Sequence, residues 1–331
     1  MDVDDIVEEI LCRLPPDDPA SLARAALVCK RWYRLVTDPH CRRRFRRFHR
    51  SAPMLGVFSD GAIINGRFFV STTSFRPPSR RDFVRDARHG RVLLQESWPR
   101  RTGFVGLVVW DPITNKQRQL PDLPRQWLQH DTLNWNTAVL CAATADRTCD
   151  HLECHHGHFL VVFVASTFEL VQTCVYSSKS GAWSNHSSAL LGGCRGVTLG
   201  PCALVGSALY FDTPDKSILK YDLGTNKMSL IGVPSECWHS RKVPTAMEDG
   251  GLGFACLDTL LHVNAHPTSM VVSGFAGSVG VIFVHTHGVC FMINLNSNRV
   301  TKLFRGVNVN GIFPYISFCT PGTGVPCLSV V

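Results

Sequence analysis

Four stretches of this 331-residue chain align with one another: WDPITNKQ from Trp110, YSSKSGAW from Tyr176, YDLGTNKM from Tyr221 and INLNSNRV from Ile293. In each, an aromatic or aliphatic residue ends one apolar run. A small polar pair (Thr114-Asn115, Ser180-Gly181, Thr225-Asn226 or Ser297-Asn298) then makes a turn, and a second run departs. Asn and Gly tolerate the left-handed backbone that a tight turn needs, so these are the tips of β-hairpins. The steps between them are unequal, and the shortest is about 45 residues, the length of one four-stranded propeller blade. One complete unit is CALVGSALYFDTPDKSILKYDLGTNKMSLIGVP, with strands predicted near Ala203, over Ala208 to Phe211, over Ile218 to Asp222 and over Met228 to Ile231. Radial repetition accounts for both the period and the lack of long helices after residue 50, whereas a sandwich or irregular barrel could be built from the same hairpins. The reading favoured is an all-β, propeller-like domain over residues 51–331.

With 45% hydrophobic and 18% charged residues the chain can bury a large core, and its length suits two domains, or one large domain with a small appendage. The formal charge of +8 is partly local, because 11 basic and 8 acidic residues fall within the first 50 positions, so no broad cationic surface is implied. The opening MDVDD has neither the basic nor the apolar region of a secretory leader. On that ground the 14 cysteines are expected to stay reduced in nucleus or cytoplasm, and the sequon at Asn185-His186-Ser187 to stay unglycosylated. Between Asp258 and Arg299 there is no charge, but SMVVSGFAGSVGVIFV is rich in Gly, Ser and β-branched residues and reads as buried strands with glycine turns, not as a membrane helix.

Residues 1–50 have a different grain. Asp2, Asp4 and Asp5 precede Ile6, Val7, Ile10, Leu11 and Leu14, the spacing of one helix face with acids at its positive end, and Asp5 with Glu8 has the form of a capping box. Pro15 and Pro16 stop that helix. Asp18-Pro19 starts a second, in which Ala23, Ala25 and Ala26 allow close approach while Leu22, Leu27, Cys29, Trp32, Leu35 and Val36 supply apolar contacts. Asp38-Pro39 starts a third, through CRRRFRRFHR, where Cys41, Phe45 and Phe48 fall on one stripe and Arg42, Arg43, Arg46, Arg47 and Arg50 on the exposed arc. A solvated face is the reading taken for these arginines, with nuclear import and nucleic-acid binding as the alternatives.

DDIVEEILCRLPP followed by SLARAALVCKRWYRLVTDP resembles the F-box, in the spacing of Leu14-Pro15, Val28-Cys29-Lys30, Arg31-Trp32 and Asp38-Pro39. Met1, Asp2 and Val3 stand where that family usually opens with a Leu-Pro pair. The resemblance implies a three-helix fold over residues 1–50 that docks on a Skp1-type linker and, through it, on a cullin. By position it places Ile6, Ile10, Leu14, Pro15, Val28 and Trp32 at that partner surface or in the small core beneath it. Taken with the hairpins, the expected class is α+β and multidomain, similar to plant-type F-box proteins with a kelch-like or F-box-associated β domain. A segment of about 50 residues lies near the lower limit for an independent core, so a partner completing its apolar faces is physically reasonable.

The one dense constellation of metal-capable side chains is CAATADRTCDHLECHHGHF, which holds Cys141, Cys149, Asp150, His151, Glu153, Cys154, His155, His156 and His158. Its spacing matches no standard zinc finger, and it is read as a polar loop, with no metal and no cofactor assigned. There is no Gly-x-Ser-x-Gly elbow and no phosphate-binding Gly-x-x-x-x-Gly-Lys loop. The functional expectation is therefore a non-catalytic adaptor of a ubiquitin ligase that selects an unknown protein target through its β domain. The rivals are a nucleic-acid binder using the Arg42–Arg50 helix and a zinc-dependent or hydrolytic enzyme.

Overall fold

A computed structural model describes residues 3–63, 68–97, 106–123, 134–144, 149, 151–152, 154–167, 170–184, 187–190, 196–238, 240–247, 249–256, 270–307 and 309–320. Four helices come first: α1 (Val3–Cys12), α2 (Pro19–Val28), α3 (Lys30–Thr37) and α4 (Pro39–His49). The expectation was three. The extra break falls at Cys29, whose backbone is extended (φ −161°, ψ 167°) and whose Sγ accepts from the Trp32 N–H at 3.5 Å. Cysteine is not among the usual capping residues and neither Gly nor Pro marks the site, so the local signal for a break was missing. At Asp38 the signal was present and the cap forms, its Oδ1 accepting from His40 N (2.7 Å) and Cys41 N (3.2 Å). The box expected of Asp5 and Glu8 does not form at a helix start, because both lie within α1. Glu8 instead accepts from Cys41 Sγ and Arg44 on α4.

Strands follow from residue 54. β1 (Met54–Ser59), β2 (Ala62–Ile63) and β3 (Phe69–Ser71) lead into a four-stranded sheet of β4 (Phe83–Arg88), β5 (Arg91–Gln95), β6 (Leu107–Trp110) and β7 (Gln117–Gln119). The next sheet runs β8 (Asn134–Cys141), β9 (Phe159–Ser166), β10 (Leu170–Ser177) and β11 (Ala182–Trp183), with β12 (Ser187–Leu190) also paired to β10. Then come β13 (Ala203–Val205), β14 (Ala208–Asp212), β15 (Ser217–Asp222) and β16 (Lys227–Gly232), the unit read from the sequence. A two-stranded ribbon of β17 (Val243–Ala246) and β18 (Leu252–Ala255) follows. The last sheet joins β19 (Val271–Ala276), β20 (Val281–Thr286), β21 (Val289–Asn294) and β22 (Val300–Val307), and β2 pairs onto β22. β23 (Ile312–Ile316) returns to the beginning and gives the first sheet the order β23-β1-β3.

The side-chain alternation of the strands explains how these sheets stack into a ring. On β5, Val92 and Leu94 enter a core shared with the first sheet (Leu55, Phe58, Tyr315), while Leu93 enters one shared with the third (Val139, Val161, Phe163). On β9, Val161 and Phe163 face back towards the second sheet, and Val162 and Val164 face forward to Leu209 and Phe211 of β14. β14 repeats the pattern, sending Leu209 and Phe211 one way and Ala208 and Tyr210 to the ribbon. A strand buried on both faces reads as an unbroken apolar run, the pattern that FLVVFV and ALYF carry. The ring closes where Val57, Phe283, Phe304 and Ile312 form one cluster between the first and last sheets. β23 lies innermost, flanked by β4 and β19. This is an all-β, propeller-like domain. Its first sheet is built from both ends of the β region, with Val57 opposite Pro314.

All four hairpin tips join the third strand of a sheet to the fourth. In three of them an Asx side chain accepts two successive backbone N–H groups: Asp111 from Ile113 and Thr114, Asp222 from Gly224 and Thr225, Asn294 from Asn296 and Ser297. Asn115, Asn226 and Asn298 then take left-handed backbone, with φ of 55°, 55° and 53°. The buried aromatic before the turn reads that asparagine, Trp110 Nε1 donating to Asn115 Oδ1 (3.1 Å) and the Tyr221 hydroxyl to Asn226 Oδ1 (2.8 Å). Asn226→Ala should therefore cost about 2 kcal/mol, about half from the lost hydrogen bond and half from the left-handed backbone. Asn226→Gly should recover only the backbone part. Chemical denaturation of the three chains checks this.

Cys237, after β16, and Cys256, after β18, form a disulfide with Cα atoms 5.9 Å apart, which corrects the expectation that every cysteine is reduced. Cys237 is buried in the cluster that holds the ribbon to β14 and β15, and Cys256 packs against that cluster. The described part of the uncharged stretch before Arg299 forms β19, a turn at Gly277–Val279, β20 and β21. Among the described residues no helix is long and apolar enough to cross a membrane. Asp2, Asn185 and His186 lie outside the described residues.

Candidate docking interface

The helical segment has two unlike sides. Its own core is small: Val7 and Leu11 of α1, Ala25 and Ala26 of α2 and Val36 of α3, with Leu14, Trp32 and Leu35 half-buried against it. On α2 the inward stripe is Leu22, Ala25 and Ala26, spaced i, i+3 and i+4, so Leu27 points away and is 70% exposed. The inward contacts read for Leu27 and Cys29 are thus corrected, since both are exposed. Of the six residues placed by resemblance, Ile6, Ile10, Pro15 and Val28 are exposed, whereas Leu14 and Trp32 are half-buried. Val3, Leu27 and Tyr33 join the exposed apolar set, and none of them is among the six residues placed at the partner surface. Knowledge of where α2 ends would have revealed Leu27, but the break at Cys29 hid it. An ion pair between Asp4 and Arg31 holds the start of α1 beside the start of α3, close to Val28 at the end of α2.

The other side is anchored to the β domain. Phe45 is buried and meets Phe318 edge to face at 6.1 Å, in a cluster with Leu22 that also takes in Leu14, Ala52 and Leu152. Arg46 is only 5% exposed and its Nη2 donates to Thr320 Oγ1 at 3.4 Å, while Ala20 N donates to Ser74 Oγ at 3.2 Å. Two expectations for α4 change accordingly. Arg46 belongs to the buried face with Cys41 and Phe45, and Phe48 is exposed, because the face turned to the β domain follows i, i+4 and i+5. Arg44 is committed as well, to Glu8 at 3.0 Å and Glu9 at 2.7 Å. Burial and the Glu8 carboxylate push the Cys41 thiol up to about 12, so it stays protonated and donates to Glu8.

Across the ring the innermost strands start at one mouth and finish at the other. Arg50, Ser51 and Ala52 line the mouth where those strands end, beside His89, Leu204 and Ile316, in a cleft of about 490 Å³. The opposite mouth is a cleft of about 620 Å³ lined by Asn134, Asp212, Trp238, Arg241, Lys242 and Asn310. Its charges are paired: Lys242 Nζ lies 3.2 Å from Asp212, and Arg241 donates to Leu199 O at 2.7 Å. Burial raises the Asp212 carboxyl while Lys242 pulls it back. Burial likewise raises Asp60, which accepts from Asn310 N and Gly311 N.

From the Cys/His constellation the structure draws together Cys141, Cys149, His151 and Cys154. His156 and His158 stay outside this group, exposed. Asp150, Glu153 and the side chain of His155 lie outside the described residues.

Comparison with known proteins agrees with the geometry of the helical segment. Residues 3–44 match the F-box domain, so the chain carries an F-box followed by a propeller-like domain. No curated protein matches the chain. Similar solved structures include a chain of the mitotic checkpoint complex, 9% identical with a TM-score of 0.36 over 78% of this chain and 70% of that one. Another is a structural genomics protein of unknown function from Bacteroides thetaiotaomicron VPI-5482, 11% identical with a TM-score of 0.35 over 78% of this chain and 69% of that one. Likenesses at these scores carry no argument about function.

Proposed function

We propose that this chain is a non-catalytic substrate adaptor of a Skp1-cullin-F-box ubiquitin ligase. The observation that carries the reading is an F-box domain whose outward side chains Ile6, Ile10 and Val28 are uncovered apolar groups, while its other side is packed on the β domain. Aliphatic anchors around a small bundle suit a pocketed protein partner, here a Skp1-type linker. Leu14 and Trp32 would support that surface from beneath, and Pro15 would border it. The adaptor's share in catalysis is proximity: a tethered target meets the charged conjugating enzyme at a high effective concentration. The mouth lined by Trp238, Arg241 and Lys242 is our choice for the target-reading surface, since it lies at the opposite end of the channel from the residues that lead out of the helices.

The nucleic-acid reading is disfavoured by the arginines themselves, with Arg44 held by two carboxylates and Arg46 buried. The test is co-purification of the full chain with a Skp1-type protein. Capture should persist when salt rises from about 50 to 200 mM, a change that would weaken a multi-phosphate contact roughly a thousandfold. Failure of the wild-type chain to capture the linker at either salt would overturn the proposal.

A further inference from the structure

Cys141 closes β8 at the mouth beside the helices, and Ala142–Thr144 form a single turn after it. The chain comes back past that cysteine at Cys149, His151 and Cys154, the last of which opens the short turn leading into β9. Three thiols and one imidazole thereby place one donor atom each within 4.8 Å of all the others. Cys154 Sγ stands 3.5 Å from His151 Nδ1, and the His151 N–H donates to Cys149 Sγ at 3.3 Å. Cys141 and Cys154 are buried, and Cys149 and His151 half-buried.

We infer that Cys141, Cys149, His151 and Cys154 bind a single Zn²⁺ as a closed Cys₃His site. A tetrahedral zinc with Zn–S of about 2.3 Å and Zn–N of about 2.0 Å sets its S···N edges at about 3.5 Å and its S···S edges at about 3.8 Å. The Cys154–His151 pair already has the S···N edge length, and no separation in the cluster exceeds the S···S edge by more than about 1 Å, within the reach of side-chain rotation. Soft thiolates with imidazole select zinc over the hard cations that prefer oxygen donors. Four protein donors leave no coordination position open for a substrate water, so the site is structural, which separates it from the hydrolytic rival. On metal uptake the three thiols lose their protons to solvent.

The surroundings suit the charge that results. Three thiolates around a dication leave one net negative charge, and Arg91 lies beside Cys154 and Cys141. Its Nη2 donates to Cys154 O (2.6 Å) and Gly157 O (2.7 Å), and its buried Nη1 has no hydrogen-bond partner among the described residues. His89 accepts from the Cys141 N–H at 3.1 Å and stacks on the His151 ring at 4.0 Å with an interplanar angle of 7°. These groups orient donors from behind, as outer-shell partners of a metal do. Leu152, held between two of the donors, packs into the cluster of Leu22, Phe45 and Phe318 that seats the helices. A zinc clip in this loop would therefore fix how the F-box sits on the β domain.

The test uses the full chain, purified under reducing conditions without metal-chelating resin, with zinc measured by mass spectrometry and Co²⁺ as a spectroscopic substitute. The expected result is one zinc per chain, and a cobalt form with tetrahedral visible bands and a thiolate charge-transfer band. Cys149→Ala should lose the bound zinc, Cys149→His should retain one equivalent with an altered cobalt spectrum, and Cys29→Ser, outside the cluster, should leave the metal content unchanged. A chelator should lower the melting temperature of wild type and leave Cys149→Ala unmoved. Wild-type chain without zinc, an octahedral cobalt spectrum, or equal metal in wild type and Cys149→Ala would each overturn the proposal. Cys149→His provides the control for folding, since its metal content depends on donor chemistry at an otherwise substituted position.

Discussion

A chain carrying Val28→Asp is expected to lose capture of a Skp1-type linker by at least about thirtyfold, the effect of removing one hot-spot contact of about 2 kcal/mol. Its thermal unfolding should stay within a few degrees of the wild-type temperature. Val28 ends α2 with 64% of its surface open, so a carboxylate there stays hydrated in the free chain and costs only about 0.3–1 kcal/mol against the negative end of the helix until a partner covers it. Ile10→Asp on the exposed side of α1, 49% open, should behave in the same way. Leu14→Asp or Trp32→Ala would be poorer probes. Both side chains are half-buried against Val7, Leu11 and Val36, so their loss would weaken the bundle itself and confound binding with folding. Binding measured by titration calorimetry beside a melting curve separates the two effects. Undiminished capture by both Val28→Asp and Ile10→Asp would remove this face from the interface.

Phe45→Ala should produce the largest loss of stability at the junction of the two parts, about 3–5 kcal/mol, the range for truncating a buried phenylalanine. Phe45 is in contact with Phe318 and Leu22, and the residues beside them come from three separate places: Leu14, Ala52 and Leu152. The small core of the bundle lies elsewhere, around Val7, Leu11 and Val36, so the helices have little of their own to fall back on. The expected signature is a helical transition that separates from, and precedes, unfolding of the β domain. Differential scanning calorimetry with circular dichroism checks this. A single unshifted transition would show that the helices are seated by other contacts.

Much of the architecture was legible because it is local. The tips at Asp111, Asp222 and Asn294 are built by side chains bonding backbone two and three residues on, and each ends on an asparagine with positive φ. Those residue types disclose their conformation without reference to the rest of the chain. The cap at Asp38 is of the same kind. The Cys29 break was hidden since its cap is an Sγ contact that composition does not advertise. The Cys/His loop was visible as a cluster of donors, yet spacing could not choose among nine candidates. The choice came from β8, which delivers Cys141 to the return of the loop, and it left His156 and His158 outside.

Strand identity, turn chemistry and helix starts were thus written in neighbouring residues, where a few hydrogen bonds and one φ angle decide the outcome. The folded ring settled everything that depends on residues distant in sequence. It paired Val57 with Pro314 to close the first sheet, turned Arg46 inward against Thr320, joined Cys237 to Cys256, and left Val28 bare. No local rule distinguishes a buried arginine from an exposed one on the same helix. Which face of α4 is inward was decided by Phe318, which follows the last strand of the closed ring, because burial belongs to the surface an element meets.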